Sequence, residues 1–202
     1  MTRFRQQAIA WLCAAVTCAL FATPSQARRS PQKFLYEITQ VKLASGIPAA
    51  VKSRAKDRLA VAIDKHDRLI GELSGDAPDP DKNPKAYKAY LRKHRLRAFK
   101  VNLEIESYRS TVEPAAAPKT GKQIVVHVAL RLFGETIPDR RMAFTGDGSA
   151  TIKVEVGSHV READSLYAEK QAVDLAIAAA ITHSIEKLEG KAPTSRRTRQ
   201  KN

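Results

Sequence analysis

The chain has 202 residues, 43% of them hydrophobic, and 35 basic side chains against 21 acidic ones give a formal net charge of +14. The length supports one domain with a sizeable core. Both cysteines, Cys13 and Cys18, fall in the first 27 residues, so the remainder has no disulfide, thiolate metal site or cysteine nucleophile.

Arg3 and Arg5 precede an apolar run from Ala8 to Ala22, and Ser25-Gln26-Ala27 closes it with small residues. This reads as a secretory signal peptide over 1–27, cleaved after Ala27. The run is too short to span a bilayer comfortably as an anchor. Thr17 before Cys18 departs from the small residue of a lipobox, and no twin-arginine pattern is present. The expected location is the periplasm or the exterior, with no membrane span after leader removal. A basic linker (28–33), a single domain (34–189) and a disordered basic tail (190–202) should follow. Without Arg3 and Arg5 the charge is +12. The two ends, Arg28 to Lys33 and Lys191 to Lys201, hold eight cations and no acid, which leaves 25 basic and 21 acidic residues, or +4, in 34–190. Such ends usually give solubility or loose polyanion contact.

Phe34 to Leu43 reads as a strand, with Leu35, Thr39, Val41 and Leu43 on one face. Ser45-Gly46-Ile47-Pro48 breaks it, and Pro48 suits the start of a helix. That helix is expected from Ala49 to Leu73, with Val51, Ala55, Leu59, Ala62, Ile63, Leu69, Ile70 and Leu73 on its apolar face. Residues 74–84 are a Gly/Pro/Asp loop. A short helix, Lys85 to His94, presents Tyr87, Tyr90 and Leu91. Phe99, Val101, Leu103 and Ile105 alternate with polar residues as a half-buried strand. Residues 112–122 form a loose connection, and Ile124, Val126, Val128, Leu130 and Leu132 mark the next strand.

After a turn over Gly134 to Asp139, the last strand puts Phe144, Gly146, Gly148, Ala150, Ile152, Val154 and Val156 on one side. A long helix over 162–188 follows. Its inner face is expected to be Leu166, Val173, Ala176, Ile177, Ala180, Ile181 and Leu188. The strand glycines and helix alanines imply close backbone approach, with Gly146 and Gly148 against Ala176 to Ala180. The order β-α-(short α)-β-β-β-α predicts an α+β two-layer sandwich. Its sheet is four-stranded and mostly antiparallel, with two long helices on one face.

The runs LRAFKVNLEI, IVVHVALRLF, FTGDGSATIKVEV and AVDLAIAAAITHSIEKL, in that order over Phe34 to Leu188, resemble small α/β domains of bacterial envelope proteins. Examples are the amino-terminal domain of TolB, the curli secretion lipoprotein and the penicillin-binding-protein activator lipoproteins. The resemblance implies a non-catalytic domain that scaffolds or contacts envelope proteins. The chain departs from the two lipoprotein groups by having no plausible lipidated cysteine, and from TolB by having no propeller repeats. No functional residue is carried over.

Catalytic chemistry finds little support. Gly146-Asp147-Gly148-Ser149 is neither a nucleophile elbow nor a phosphate loop. The five histidines lack zinc spacing, so no metal or cofactor is expected. His66 falls on the first helix's apolar face, where a satisfied border residue is the ordinary reading. His127 and Asp147 should lie opposite each other if the last turn is centred near Ile137, a pair more typical of sheet stabilisation than of catalysis.

Two surfaces remain. Lys82 to Lys100 holds eight cations and no acid, interleaved with Tyr87, Tyr90 and Phe99. Its candidate polyanion contacts are Lys85, Lys88, Arg92, Lys93, Arg95 and Arg97, and the competing reading is a solvated amphipathic helix. On the long helix Leu175, Ala178, Ala179 and Thr182 point away from the expected core and suit contact with an envelope protein or a second copy. The expectation is a non-enzymatic protein-binding domain. Binding of an anionic envelope polymer is the alternative, and a hydrolase is the least supported reading. Nucleic acid is not an expected partner.

Overall fold

A computed structural model describes residues 31–115 and 121–190, of which those from Gln32 onward belong to one compact unit. The segment expected to be a leader and residues 191–202 of the expected tail lie outside the described residues. Strands are β1 (Lys33–Leu43), β2 (Leu69–Ile70), β3 (Leu96–Pro114), β4 (Lys122–Thr136) and β5 (Met142–Val156). Helices are α1 (Ala49–Asp64), α2 (Pro84–Lys93) and α3 (Glu162–Leu188). The sheet has five strands in the order β2-β1-β3-β4-β5. β1 pairs in parallel with β2 and β3, whereas β3-β4 and β4-β5 are antiparallel. The architecture is α+β as expected, but the four-stranded, mostly antiparallel sheet is corrected to a five-stranded mixed one.

The extra strand comes from the segment assigned to the end of the first helix. α1 buries Val51, Ala55, Leu59 and Ile63 at helical spacing and stops at Asp64. The His66 amide then bonds to the Ile63 carbonyl, the Arg68 amide to His66 Nδ1 at 3.2 Å, and the Leu69 amide to the His66 carbonyl. His66 therefore organises the turn that ends α1 and does not lie on its apolar face. Leu69 and Ile70 emerge extended beside Phe34 and Leu35.

The first strand shows why simple alternation misassigned its faces. Phe34 and Tyr36 are fully buried on the α1/α3 side, with Ile38 packed against the same core, and Val41 and Leu43 rejoin it. Between them the register against β3 shifts by one residue, from Ile38 to Gln40. This bulge inverts the parity, so exposed Thr39 is not a core residue. Leu35 is buried on the opposite face.

The main core lies between the sheet and α1 and α3. Ile124, Val126, Val128, Leu130 and Leu132 are at most 1% exposed. Tyr36 stacks on Phe144, with ring centroids 5.3 Å apart, and meets the Phe99 ring edge-on. Its hydroxyl pairs with Ser184 Oγ of α3 at 2.8 Å, which satisfies both groups in a dry interior. A Cβ on Gly148 would stand 1.9 Å from the Ala176 carbonyl oxygen, and one on Gly146 would stand 2.2 Å from that of Ala180. The expected glycine-to-helix contact is present. Leu166 is exposed on the first turns of α3, so it leaves the assigned inner face; Ala168, Glu169 and Ala172 serve there instead.

α2 sits on the other side of the sheet, where Tyr87 and Leu91 form a second cluster with Leu35, Ala98 and Ile137. The two-layer description thus becomes three layers at one end. β3 and β4 extend to Pro114 and from Lys122, so the connection assigned to 112–122 is shorter than expected.

Candidate functional site

α2 begins at Asn83-Pro84. The Asn83 side chain accepts from the Ala86 amide at 3.0 Å, and Pro84 occupies the first turn, a favourable start on both counts. Tyr87 and Leu91, one turn apart, anchor the helix to the sheet. That anchoring turns Lys88 and Arg92 along one flank. The helix ends at His94, and Arg95 turns the chain into β3 with φ of 55°. Glycine is the usual residue there, and holding an arginine in this conformation costs on the order of 1 kcal/mol.

These residues wall a groove of about 550 Å³. Lys88, Arg92, Arg95 and Arg97 line it, together with Leu91, Leu96, Ala98, Phe99 and, from the turn between β4 and β5, Thr136, Ile137 and Asp139. Lys88, Arg92 and Arg95 thus border the groove with one carboxylate, while the Arg97 guanidinium turns to the α3 side of the sheet. Lys88 Nζ is paired with Asp139 at 2.7 Å. Arg97 is half-buried, donates from Nη1 to the Leu188 carbonyl at 3.3 Å, and lies 5.3 Å from the Phe99 ring centroid. It is thereby fixed at the negative end of α3. Arg92 and Arg95 stand exposed at the mouth. Two neighbouring grooves have the opposite character: Glu37, Asp64 and Glu72 line one, and Glu37, Glu72 and Asp79 the other.

Of the six candidate polyanion contacts, the fold brings Lys88, Arg92 and Arg95 together; Arg97 contributes to the lining with its guanidinium turned to α3, and Lys85 and Lys93 are exposed on α2 and do not line the groove. The wall from Thr136 to Asp139 was missed, since no local pattern joins that turn to a helix some 50 residues earlier.

Leu175, Ala178 and Thr182 are exposed and Ala179 is half-buried on the outer side of α3, away from the core as expected. On the polar sheet face the expected His127–Asp147 pairing is corrected. His127 lies opposite Thr151, its Nδ1 2.9 Å from Thr151 Oγ1, while Asp147 faces Arg131, with a 2.6 Å ion pair. The turn is centred near Asp139, two residues beyond the assumed place, and this moves the pairing by four. Among the described residues no three His, Cys, Asp or Glu side chains gather in metal-binding geometry. No described helix is long and apolar enough to cross a membrane.

No family model and no curated protein matches the chain. Some solved structures are similar to it at a low level. One is described as a neuraminyllactose-binding hemagglutinin homolog from Helicobacter pylori. It is 13% identical, with a TM-score of 0.42, over 81% of this chain and 88% of that one. Another is a minor lipoprotein from Acinetobacter baumannii, 10% identical with a TM-score of 0.39, over 78% and 94% of the two chains. A third is the rare lipoprotein B from Shewanella oneidensis, 11% identical with a TM-score of 0.29, over 75% and 92%. The particular envelope families that the sequence resembles gain no support from these likenesses.

Proposed function

We propose that the chain is an exported, non-catalytic binding domain of the bacterial envelope, and that the groove beneath α2 takes an anionic ligand, such as the phosphates of an envelope polymer or lipopolysaccharide. The observation that carries this reading is the convergence of Lys88, Arg92 and Arg95 on one groove with a single carboxylate. Guanidinium groups present several donors in a plane that matches phosphate oxygens. The partly apolar lining of Leu91, Leu96, Ala98 and Ile137 lowers the local dielectric and strengthens each contact. Export rests on the leader-like first 27 residues.

Retention on immobilised heparin at rising salt tests the proposal, because neutralised phosphates release counterions. Lys88→Glu, Arg92→Glu and Arg95→Glu together should remove more retention than deletion of everything after Gly190. If tail deletion alone abolishes retention, the groove reading fails. A second reading, contact with another envelope protein or a second copy, is favoured by the outer face of α3, where Leu175 is 51% exposed.

A further inference from the structure

The sheet has two very different edges. β2, at one edge, contributes only two residues. β5, at the other, has fifteen. Among the described residues no strand pairs with the outer edge of β5. Long open edges are pairing templates that folded proteins ordinarily cover.

Here the cover is partial. His183 of α3 donates from Nδ1 to the Asp147 carbonyl at 2.7 Å, and Lys187 Nζ donates to Thr145 Oγ1 at 2.8 Å. The His183 contact fixes which backbone groups face outward. The Asp147 carbonyl points away from β4, so the period of two turns the amides and carbonyls of Ser149, Thr151 and Lys153 outward as well. These three residues are exposed, and the His183 and Lys187 bonds go to Asp147 and Thr145 instead.

The same side of α3 continues above them. Leu175, Ala179, His183 and Lys187 succeed one another four residues apart and form one ridge. Its last two members are fastened to the β5 edge, while Leu175 stays exposed and Ala179 half-buried. Gly148 lies directly beneath Ala176, so Leu175 overhangs the open stretch. An apolar ridge thus runs alongside unpaired strand backbone.

We infer that the occupant of this edge is a second copy of the chain, joined through antiparallel β5–β5 pairing about a two-fold axis at Ala150. The charges select this partner and register. Around Ala150, Ser149 meets Thr151 of the second copy in backbone pairing, and the Asp147 side chain meets its Lys153 while the Asp147 carbonyl stays with His183, each pairing occurring twice. Centring on Thr151 would instead set Asp147 against Glu155, and centring on Lys153 would set that lysine against itself. The axis is perpendicular to the sheet, so both α3 helices lie on the same side, with the Leu175 ridges facing each other. Backbone bonds supply the join, and the small residues Ala178 and Ala179 permit close helix approach. This inference is independent of the groove.

Sedimentation of the full chain, recovered after export, should give twice the mass of one chain. Lys153→Glu places like charges opposite Asp147 at two positions. Thr151→Pro removes an outward amide and spares the β4 ladder. Leu175→Glu puts a charge on the ridge. Each should return the chain to single mass with an unchanged circular dichroism spectrum. Ala150→Cys should form a disulfide-linked dimer on oxidation, since Ala150 would face its own copy. A single-chain mass at every concentration overturns the inference. So does a dimer that survives all three substitutions, or an edge filled only when a different protein is added.

Discussion

Gly148→Ala should be among the most damaging single-methyl additions available in this protein. The added Cβ would stand 1.9 Å from the Ala176 carbonyl oxygen, 2.8 Å from the Ala180 amide nitrogen and 2.9 Å from the Ala176 carbonyl carbon. Ordinary contact begins at 3.4 Å, so relief needs a displacement of about 1.5 Å at the first of these, the difference between 3.4 and 1.9. All three atoms are helix backbone, so no side-chain rotation can supply it. α3 itself must lift, which loosens Ala172, Ala176 and Ala180 against the sheet. Overpacking of this kind costs roughly 1–3 kcal/mol, and rigid backbone on both sides places this case near about 3 kcal/mol. Gly157→Ala is the control, because nothing lies within 4 Å of that position; its effect should stay within about 0.5 kcal/mol. Urea unfolding followed by circular dichroism would read the difference as a midpoint about 1.5 M lower, for a slope of about 2 kcal/mol/M. If Gly148→Ala unfolds at the same midpoint as Gly157→Ala, the helix does not rest on this strand and the strand register is wrong.

Arg95→Gly should raise stability by about 0.5–1 kcal/mol by relieving the positive φ, while lowering retention on heparin; thermal melts and salt elution check the two halves separately. Glu169 is buried between Tyr108, whose hydroxyl donates to Oε2 at 3.1 Å, and Arg54, whose Nη1 lies 2.5 Å from Oε1 but off the hydrogen-bond direction. Arg54→Leu should therefore cost about 3 kcal/mol through an uncompensated buried carboxylate, and adding Glu169→Leu should recover much of it, as read from urea midpoints. Burial raises the Tyr87 phenol to about 12 and pushes that of Tyr36 higher still. A raised folded value means that the folded state keeps its proton after the unfolded chain has released it near pH 10. Stability should thus be intact below pH 10 and fall between pH 10 and 12 by about 1.4 kcal/mol per pH unit for each tyrosine. A Tyr36→Phe/Tyr87→Phe variant with the same alkaline slope would contradict this assignment.

What the sequence revealed was set by how local each pattern is. The β4 and β5 faces and the extent of α3 follow from regular alternation and helical spacing, and the paired glycines and alanines announced the close approach of β5 and α3. The errors arose where one residue breaks the period or where partners are distant. A single bulge at Thr39 reversed the faces of β1. Leu69 and Ile70 continue a helical apolar spacing after the helix has stopped, so only their pairing with β1 shows them to be a strand. A two-residue error in the turn near Asp139 displaced Asp147 from Arg131 to His127. The basic segment was legible as composition. Its division into groove-lining Lys88, Arg92, Arg95 and Arg97 and outlying Lys85 and Lys93 depends on which side of α2 docks on the far sheet face.

Backbone amide chemical-shift mapping during titration with a short heparin oligosaccharide tests the groove most directly. The largest shifts should fall on Lys88 to Phe99 and Thr136 to Asp139 and collapse as salt is raised. Shifts confined to residues 191–202, or spread over the polar face of β4 and β5, would contradict it.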